Sequence, residues 1–413
     1  MNIAVIGTLD TKGNEVGFIR DAILQLGHRP IIFDPGVIGQ AAIPADVTRQ
    51  AIAEAGGETL ESLLARKDKA HAQAVMLKGL VAVVSRLFAE GGFAGVVAVG
   101  GAQGTALATA AMRALPVGIP KVMLSTVACG QTTFGPYVGT KDIAMIHSVA
   151  DISGLNRVTC RLLAQAAHAV VAMASAPPVA ESKKELVALT QAGITTVGVM
   201  AVKNQLERLG FEVIAFHCNG IGGKAMEEMI LEGVIQGVID FSPHEITDLL
   251  YGGLMPAMPD RMQAAGRMGI PQVVTPGATD IRLYGVGPDL PENLRQRACV
   301  QHTPTHTHVR ASAEEIAGVG HFIAEHLNAG RGPRAVLIPL RGFSALNRAG
   351  SALYDEPANL AFAETMRREL APEVERLEVD AHINDAAFAQ AAVDTFMRLR
   401  AAQAAGAAET QKG

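Results

Sequence analysis

The chain contains no tryptophan, and aromatic residues make up only 4% of its 413 positions. That scarcity argues against a single-stranded nucleic-acid platform, where bases stack on aromatic faces. Basic charge is not in excess either: 35 Lys and Arg face 40 Asp and Glu, a net charge of −5. A duplex binder needs surplus cations to displace counterions, so nucleic acid is not an expected partner. Cysteine is sparse: Cys129, Cys160, Cys218 and Cys299 are scattered, without a C-x-x-C pair. Neither a zinc knuckle nor a disulfide framework is indicated, and reduced thiols suit a cytoplasmic protein. Mean hydropathy is +0.24, yet no stretch of about 18 residues is free of polar interruption, so no membrane association is expected. The apolar run at residues 3–6 is too short for a secretory leader, and no basic segment precedes it.

What is abundant is alanine, valine and isoleucine, within a hydrophobic content of 49%. Such composition suits parallel strands covered by helices on both faces. The length suits two domains of about 150–200 residues each. Residues 2–7 read as a buried strand, 14–26 as a helix and 30–33 as a second strand, which opens a βαβ unit. A long helical stretch at 51–90 follows, then strands at 95–99 and 121–125 separated by a helix. Pro177-Pro178 and the small residues around them mark a linker. The pattern then restarts, with strands expected at 195–200, 212–217, 237–240, 272–275 and 335–339. Residues 358–404 read as one or two helices and a short strand. The expected architecture is α/β: two doubly wound, Rossmann-like parallel-sheet domains, 1–178 and 190–405, facing a central cleft.

Glycine-rich turns follow the strands. Gly7-Thr8-Leu9-Asp10-Thr11-Lys12-Gly13 lies beyond the first, where α/β sheets bind ligands. Backbone N–H groups at a helix start welcome phosphate, the hydroxyls of Thr8 and Thr11 and the charge of Lys12 add to them, and Asp10 suits a magnesium ion. The spacing is not that of a Walker loop, and a simple capped turn is the alternative. Gly100-Gly101-Ala102-Gln103-Gly104-Thr105 repeats the arrangement, and Thr126 with Gly130 follows a further strand. Asp34 ends the second strand, where an acidic side chain commonly bonds a ribose hydroxyl; a turn aspartate before Pro35-Gly36 is the alternative. Two such turns in one domain converge on one crevice, so these residues are expected to hold a nucleotide.

The second half offers an anion seat at Asn219-Gly220-Ile221-Gly222-Gly223, with Cys218 before it. Its alternative is a tight packing turn, and for Cys218 a small buried residue rather than an activated thiolate. Glu245, in Ser242-Pro-His244-Glu245, is a candidate general base or one half of a capping box. His302, His306 and His308 form the densest imidazole cluster, with His306 and His308 on one side of an extended strand. It suits a metal or a polar cleft lining. Arg310 and Arg341 are candidates for carboxylate or phosphate.

Taken in order, these loops, with residues 216–227, 248–253 and 276–278, resemble the ATP-binding domain family of the tomato tobamovirus resistance protein and its bacterial and fungal relatives. The resemblance spans most of the chain. It implies two α/β subdomains, ATP with Mg2+ in the first, and a homodimer. The expected function is therefore ATP-dependent and acts on a small anionic metabolite through Glu245, His306 and Arg310. A non-catalytic, ATP-dependent regulatory dimer is a second reading, and an ATP-independent isomerase or lyase using Cys218 or a histidine is a third.

Overall fold

The computed structural model describes residues 1–129, 135–180 and 182–410. The chain divides into two compact units, Met1–Ala180 and Glu181–Gly413.

The first unit runs β1 (Asn2–Ile6), α1 (Leu9–Gln25), β2 (Arg29–Phe33), α2 (Arg49–Gly56), α3 (Leu60–Arg66) and α4 (Lys69–Ala89). It continues with β3 (Val96–Gly100), α5 (Ala102–Arg113), β4 (Lys121–Ser125), α6 (Gly135–Val138), β5 (Ala144–His147) and α7 (Arg157–Ala174). The strands form one parallel sheet in the order β2-β1-β3-β4-β5. Side chains alternate across it. Ile3, Val5, Val97, Val99, Val122 and Leu124 pack under α1 and α7, while Ala4, Ile6, Val96, Ala98 and Met123 pack under the helices on the other face.

The second unit runs β6 (Leu186–Gln191), α8 (Thr196–Arg208), β7 (Glu212–His217), α9 (Ile221–Leu231), β8 (Gly237–Asp240), α10 (Glu245–Tyr251), α11 (Gln263–Met268) and β9 (Gln272–Val274). Then come β10 (Ile281–Tyr284), β11 (Cys299–Thr303), β12 (His306–Arg310), α12 (Ala313–Ala329), β13 (Arg334–Pro339), α13 (Glu356–Glu369), β14 (Glu375–Val379) and α14 (Ala386–Thr410). Six strands form a parallel sheet, β14-β13-β9-β8-β6-β7. The remaining three make a small antiparallel sheet, β10-β12-β11, inserted between β9 and α12. Both large sheets grow outward in two directions from a pair of neighbours, β1 with β3 and β6 with β8. That reversal of winding is the defining mark of a doubly wound fold.

Several expectations need correction. Residues 195–200 are not a strand: Gly198, Val199, Val202 and Leu206 are the buried face of α8, and the strand lies upstream at Leu186–Gln191. Helix α1 begins at Leu9, five residues earlier than expected, and kinks at Lys12 (φ −126°) before continuing. The helical stretch after residue 50 is three helices. Gly57 (φ 105°) and Lys67 (φ 53°) turn the chain out of α2 and α3, and Thr48, Thr59 and Asp68 cap the three starts. Helix α4 is apolar and long enough to cross a membrane by composition. Its apolar side, including Val75, Met76, Leu80, Val83 and Val84, is buried in the first unit's core.

Candidate functional site

At the reversal point of the first sheet, the ends of β1, β2 and β3 open onto a crevice of about 580 Å³. Thr8, Asp10, Thr11 and Lys12 line it from the start of α1, Pro35, Gly36, Val37 and Ile38 from the end of β2, and Gly100, Gly101 and Gly104 from the start of α5. The volume lies within the usual range for small-ligand sites. Helix α5 has no side-chain cap, and helix geometry leaves its first N–H groups without intrahelical partners. Its dipole adds positive potential at the same end. Leu63, Leu64, Met76 and Leu107 supply an apolar wall. Three lysines, Lys12, Lys67 and Lys69, face two aspartates, Asp10 and Asp68, so the charged lining is net positive.

Two glycines of the expected loops serve packing. A Cβ on Gly7 would lie 2.5 Å from Val16 Cγ2, and one on Gly100 would lie 2.9 Å from the Gly104 Cα. Bare backbone there lets α1 and α5 seat directly on the strand ends. Thr105 is fully buried and shares a hydrogen bond of 2.6 Å with Ser125, so it braces β4 rather than the crevice. Asp34 is buried too. It accepts from Leu9 N–H and Gly36 N–H, both at 3.0 Å, and pairs with Arg49 at 2.6 Å. Its carboxylate is thus committed to holding the loop after β2 against the start of α1, not offered to a ribose. Lys12 donates through Nζ to the Ile152 carbonyl, and Glu15 accepts from Gly154 N–H at 2.7 Å. Together they tie α1 to the segment before α7. Thr126 lies close to Gly101 without being part of the crevice lining, and Gly130 lies outside the described residues. Lys67 and Lys69 were missed in the sequence because their helices read as one continuous stretch.

In the second unit the glycine-rich turn at 219–223 is already filled. Glu245 Oε2 accepts from Gly220 N–H at 2.6 Å, and a Cβ on Gly223 would sit 1.7 Å from Glu245 Oε1. Asn219 closes the turn on itself by accepting from Gly222 N–H at 3.0 Å. The carboxylate expected to act on substrate is the turn's own internal anion. It pairs with Arg261 at 2.6 Å, and Arg261 also holds Asp240 at 2.7 Å and Glu227 at 3.0 Å. Glu245 and Asp240 are fully buried and Arg261 nearly so. Burial opposes the Arg261 charge, but Asp240, Glu245 and Glu227 outweigh it and hold its pKa well above the ordinary value. Burial raises Glu227 despite Arg261. Breaking such a network strands buried charge, typically at a cost of 3–5 kcal/mol. Cys218 is buried beside it. Burial first, then Glu245 and Asp240, push its thiol well above the usual range, so it is not an activated thiolate.

The histidines stand on the small antiparallel sheet. His302 and His308 stack with ring centroids 4.4 Å apart. His306 Nδ1 shares hydrogen bonds with the hydroxyls of Thr303 and Thr305. Among the described residues no three His, Cys, Asp or Glu side chains are grouped to hold a metal. Burial, reinforced by His302, His244 and His306, lowers the His308 pKa to about 4. Arg310 is buried on the same strand, whereas Arg341 is exposed and paired with Asp380 at 2.8 Å.

The comparisons with known proteins agree along the chain. The N-terminal domain of the "Uncharacterised protein family (UPF0261)" matches residues 1–178, and its C-terminal domain matches residues 184–400. A UPF0261 protein of Clostridium tetani is 42% identical over 389 residues, covering 94% of this chain and 96% of the relative. A second, from Rhizobium meliloti, is 38% identical over 398 residues, covering 95% and 98%. The "ToMV susceptible protein tm-1(GCR26)" of Solanum lycopersicum is 37% identical over 342 residues, 80% of this chain but only 45% of the tomato protein. With both domain descriptions matched in order, and the two bacterial relatives aligned over nearly their whole length, the chain belongs to the UPF0261 family.

Proposed function

We propose that the first unit binds a nucleoside triphosphate, ATP with Mg2+, in the crevice between the ends of β1, β2 and β3. The observation that carries this reading is the convergence of the Thr8–Lys12 and Gly100–Gly104 turns on one opening at the winding reversal. Phosphates belong at the uncapped start of α5, where main-chain N–H groups and the helix dipole act together. The base belongs against Val37, Ile38, Leu63 and Met76. Lys67 and Lys69, both exposed on the crevice wall, supply charge that moves freely to meet phosphate. Asp10, half-buried and flanked by the hydroxyls of Thr8 and Thr11, has the oxygen chemistry that Mg2+ requires. The ion would neutralise charge on the phosphates. The metabolite seat expected at residues 219–223 gains no support, since Glu245 occupies it.

Thermal denaturation with Mg·ATP tests the reading. At a hundredfold excess over the dissociation constant, stability rises by about 2.7 kcal/mol. The double variant Lys67→Asn, Lys69→Ala keeps the unliganded melting temperature, because asparagine tolerates the left-handed backbone of Lys67, and binds at least tenfold more weakly. Absence of a shift with ATP, ADP and GTP alike would overturn it.

A further inference from the structure

The inserted antiparallel sheet places a set of buried polar groups beside the loops that follow β9 and β13. Asp280 is fully buried. Its Oδ2 accepts from Ser344 Oγ at 2.7 Å, while Oδ1 has no partner. Arg310 lies next to it, 5% exposed. Its Nη1 donates to the Asp280 carbonyl at 2.8 Å and stands 3.7 Å from the Asp280 carboxylate. Nη2 is used by Asn359 Oδ1 at 3.1 Å and by the Asp355 carbonyl at 3.2 Å. Nε is left with no acceptor. Two positions along β12, on the same face, His308 is 6% exposed and its Nδ1 is also unpaired. A buried polar atom left without a partner typically costs 1–3 kcal/mol. Here an acceptor on Asp280, a donor on Arg310 and an imidazole nitrogen on His308 each lack a partner, on residues that neighbour one another at the small sheet.

We propose that Asp280, Arg310 and His308 form a second ligand site, one that takes a small neutral hydroxycarbonyl compound. The carbonyl oxygen accepts from Arg310 Nε–H, and the hydroxyl donates to Asp280 Oδ1. Charge decides the class. The Arg310 charge is already offset by Asp280 and by the nearby Asp355, and His308, with its lowered pKa, is neutral at pH 7. An anionic ligand would bring an uncompensated charge into a buried place, which is far costlier than a neutral one. The ligand must carry both an acceptor and a donor, since each open atom on Arg310 and Asp280 is of one kind only. The site lies wholly in the second unit and does not depend on nucleotide binding in the first.

Calorimetric titration of the full chain with hydroxyacetone, acetone and glycolate tests the assignment. Hydroxyacetone is expected to bind saturably and at least tenfold more tightly than acetone, which lacks the donor, and than glycolate, which carries charge. Arg310→Lys keeps the cation but loses Nε–H, and weakens hydroxyacetone at least tenfold. Asp280→Asn removes the carboxylate that acts most strongly on Arg310 and leaves Asp355, so the preference for hydroxyacetone over glycolate falls at least tenfold. Melting curves verify that each variant folds; if Asp280→Asn does not, Arg310→Lys carries the test. No saturable heat with wild type, or a wild-type preference for glycolate, overturns the proposal. So does a crystal structure from hydroxyacetone-soaked crystals showing only a water between Asp280 and Arg310.

Discussion

His308 shows how burial sets the behaviour of a single side chain. Its pKa falls to about 4 in the folded chain, against about 6.5 when unfolded. Between those values the unfolded chain takes up a proton that the folded chain refuses. The contribution to stability is therefore complete above about pH 6.5 and is lost as pH drops toward 4. Urea denaturation at pH 7 and pH 4.5 should show wild type losing more stability than His308→Gln. Equal losses would mean that the imidazole is not held neutral by its surroundings. Residue chemistry was only half legible in the sequence. The types at strand ends were visible, but not their partners. Asp34 is spent on Arg49, and Glu245 on Gly220 and Arg261, because partners 15 to 25 residues away come within hydrogen-bond reach only once the sheet has formed.

At the scale of the element, adjacent glycines play different parts. Gly100 must lack a side chain because α5 starts against it, with the Gly104 Cα only 2.9 Å from where a Cβ would be. Gly101 has nothing nearer such an atom than Thr126 Oγ1 at 3.7 Å. Gly100→Ala should lower stability by about 1–3 kcal/mol, as overpacking does, while Gly101→Ala should melt close to wild type. Chemical denaturation of the two variants checks the contrast, and equal stabilities would contradict the close seating of α5. Strands with buried faces on both sides, such as Val96–Gly100, were plain in the sequence, as continuous apolar runs between turns. Residues 195–200 misled because threonine, valine and methionine suit a strand locally. Their pattern is helical only when Val202 and Leu206 are counted with them. An extended strand at His306–His308 was legible, but its pairing with β10 and β11 was not, because His302, His306 and the threonines among them give no apolar alternation to read.

For the whole molecule, the division after Ala180 follows the proline-containing stretch at 174–180, where helix α7 has ended. Every crevice-lining residue lies between Thr8 and Leu107, inside the first unit. Residues 1–180 produced alone should fold and bind Mg·ATP within about threefold of the full chain, a difference of about 0.7 kcal/mol. Fluorescence titration of both against a labelled nucleotide measures it. A fragment that folds but does not bind would put part of the site elsewhere. The order in which strands lie side by side could not be read from residues at all, since it is set by which helices cross to which face. That order is what makes two distant glycine turns neighbours.

The tie between Lys12 and the Ile152 carbonyl carries one more implication. An incoming phosphate and that carbonyl oxygen compete for the same ammonium group. If phosphate wins, the strap at residues 148–154 loses one hydrogen-bonded anchor to α1 and keeps another, Glu15 on Gly154, beside the packing of Ile152. Occupancy at one end of the sheet would then be announced as a loosening on its flank, at the very place where the chain enters the helix that closes the unit.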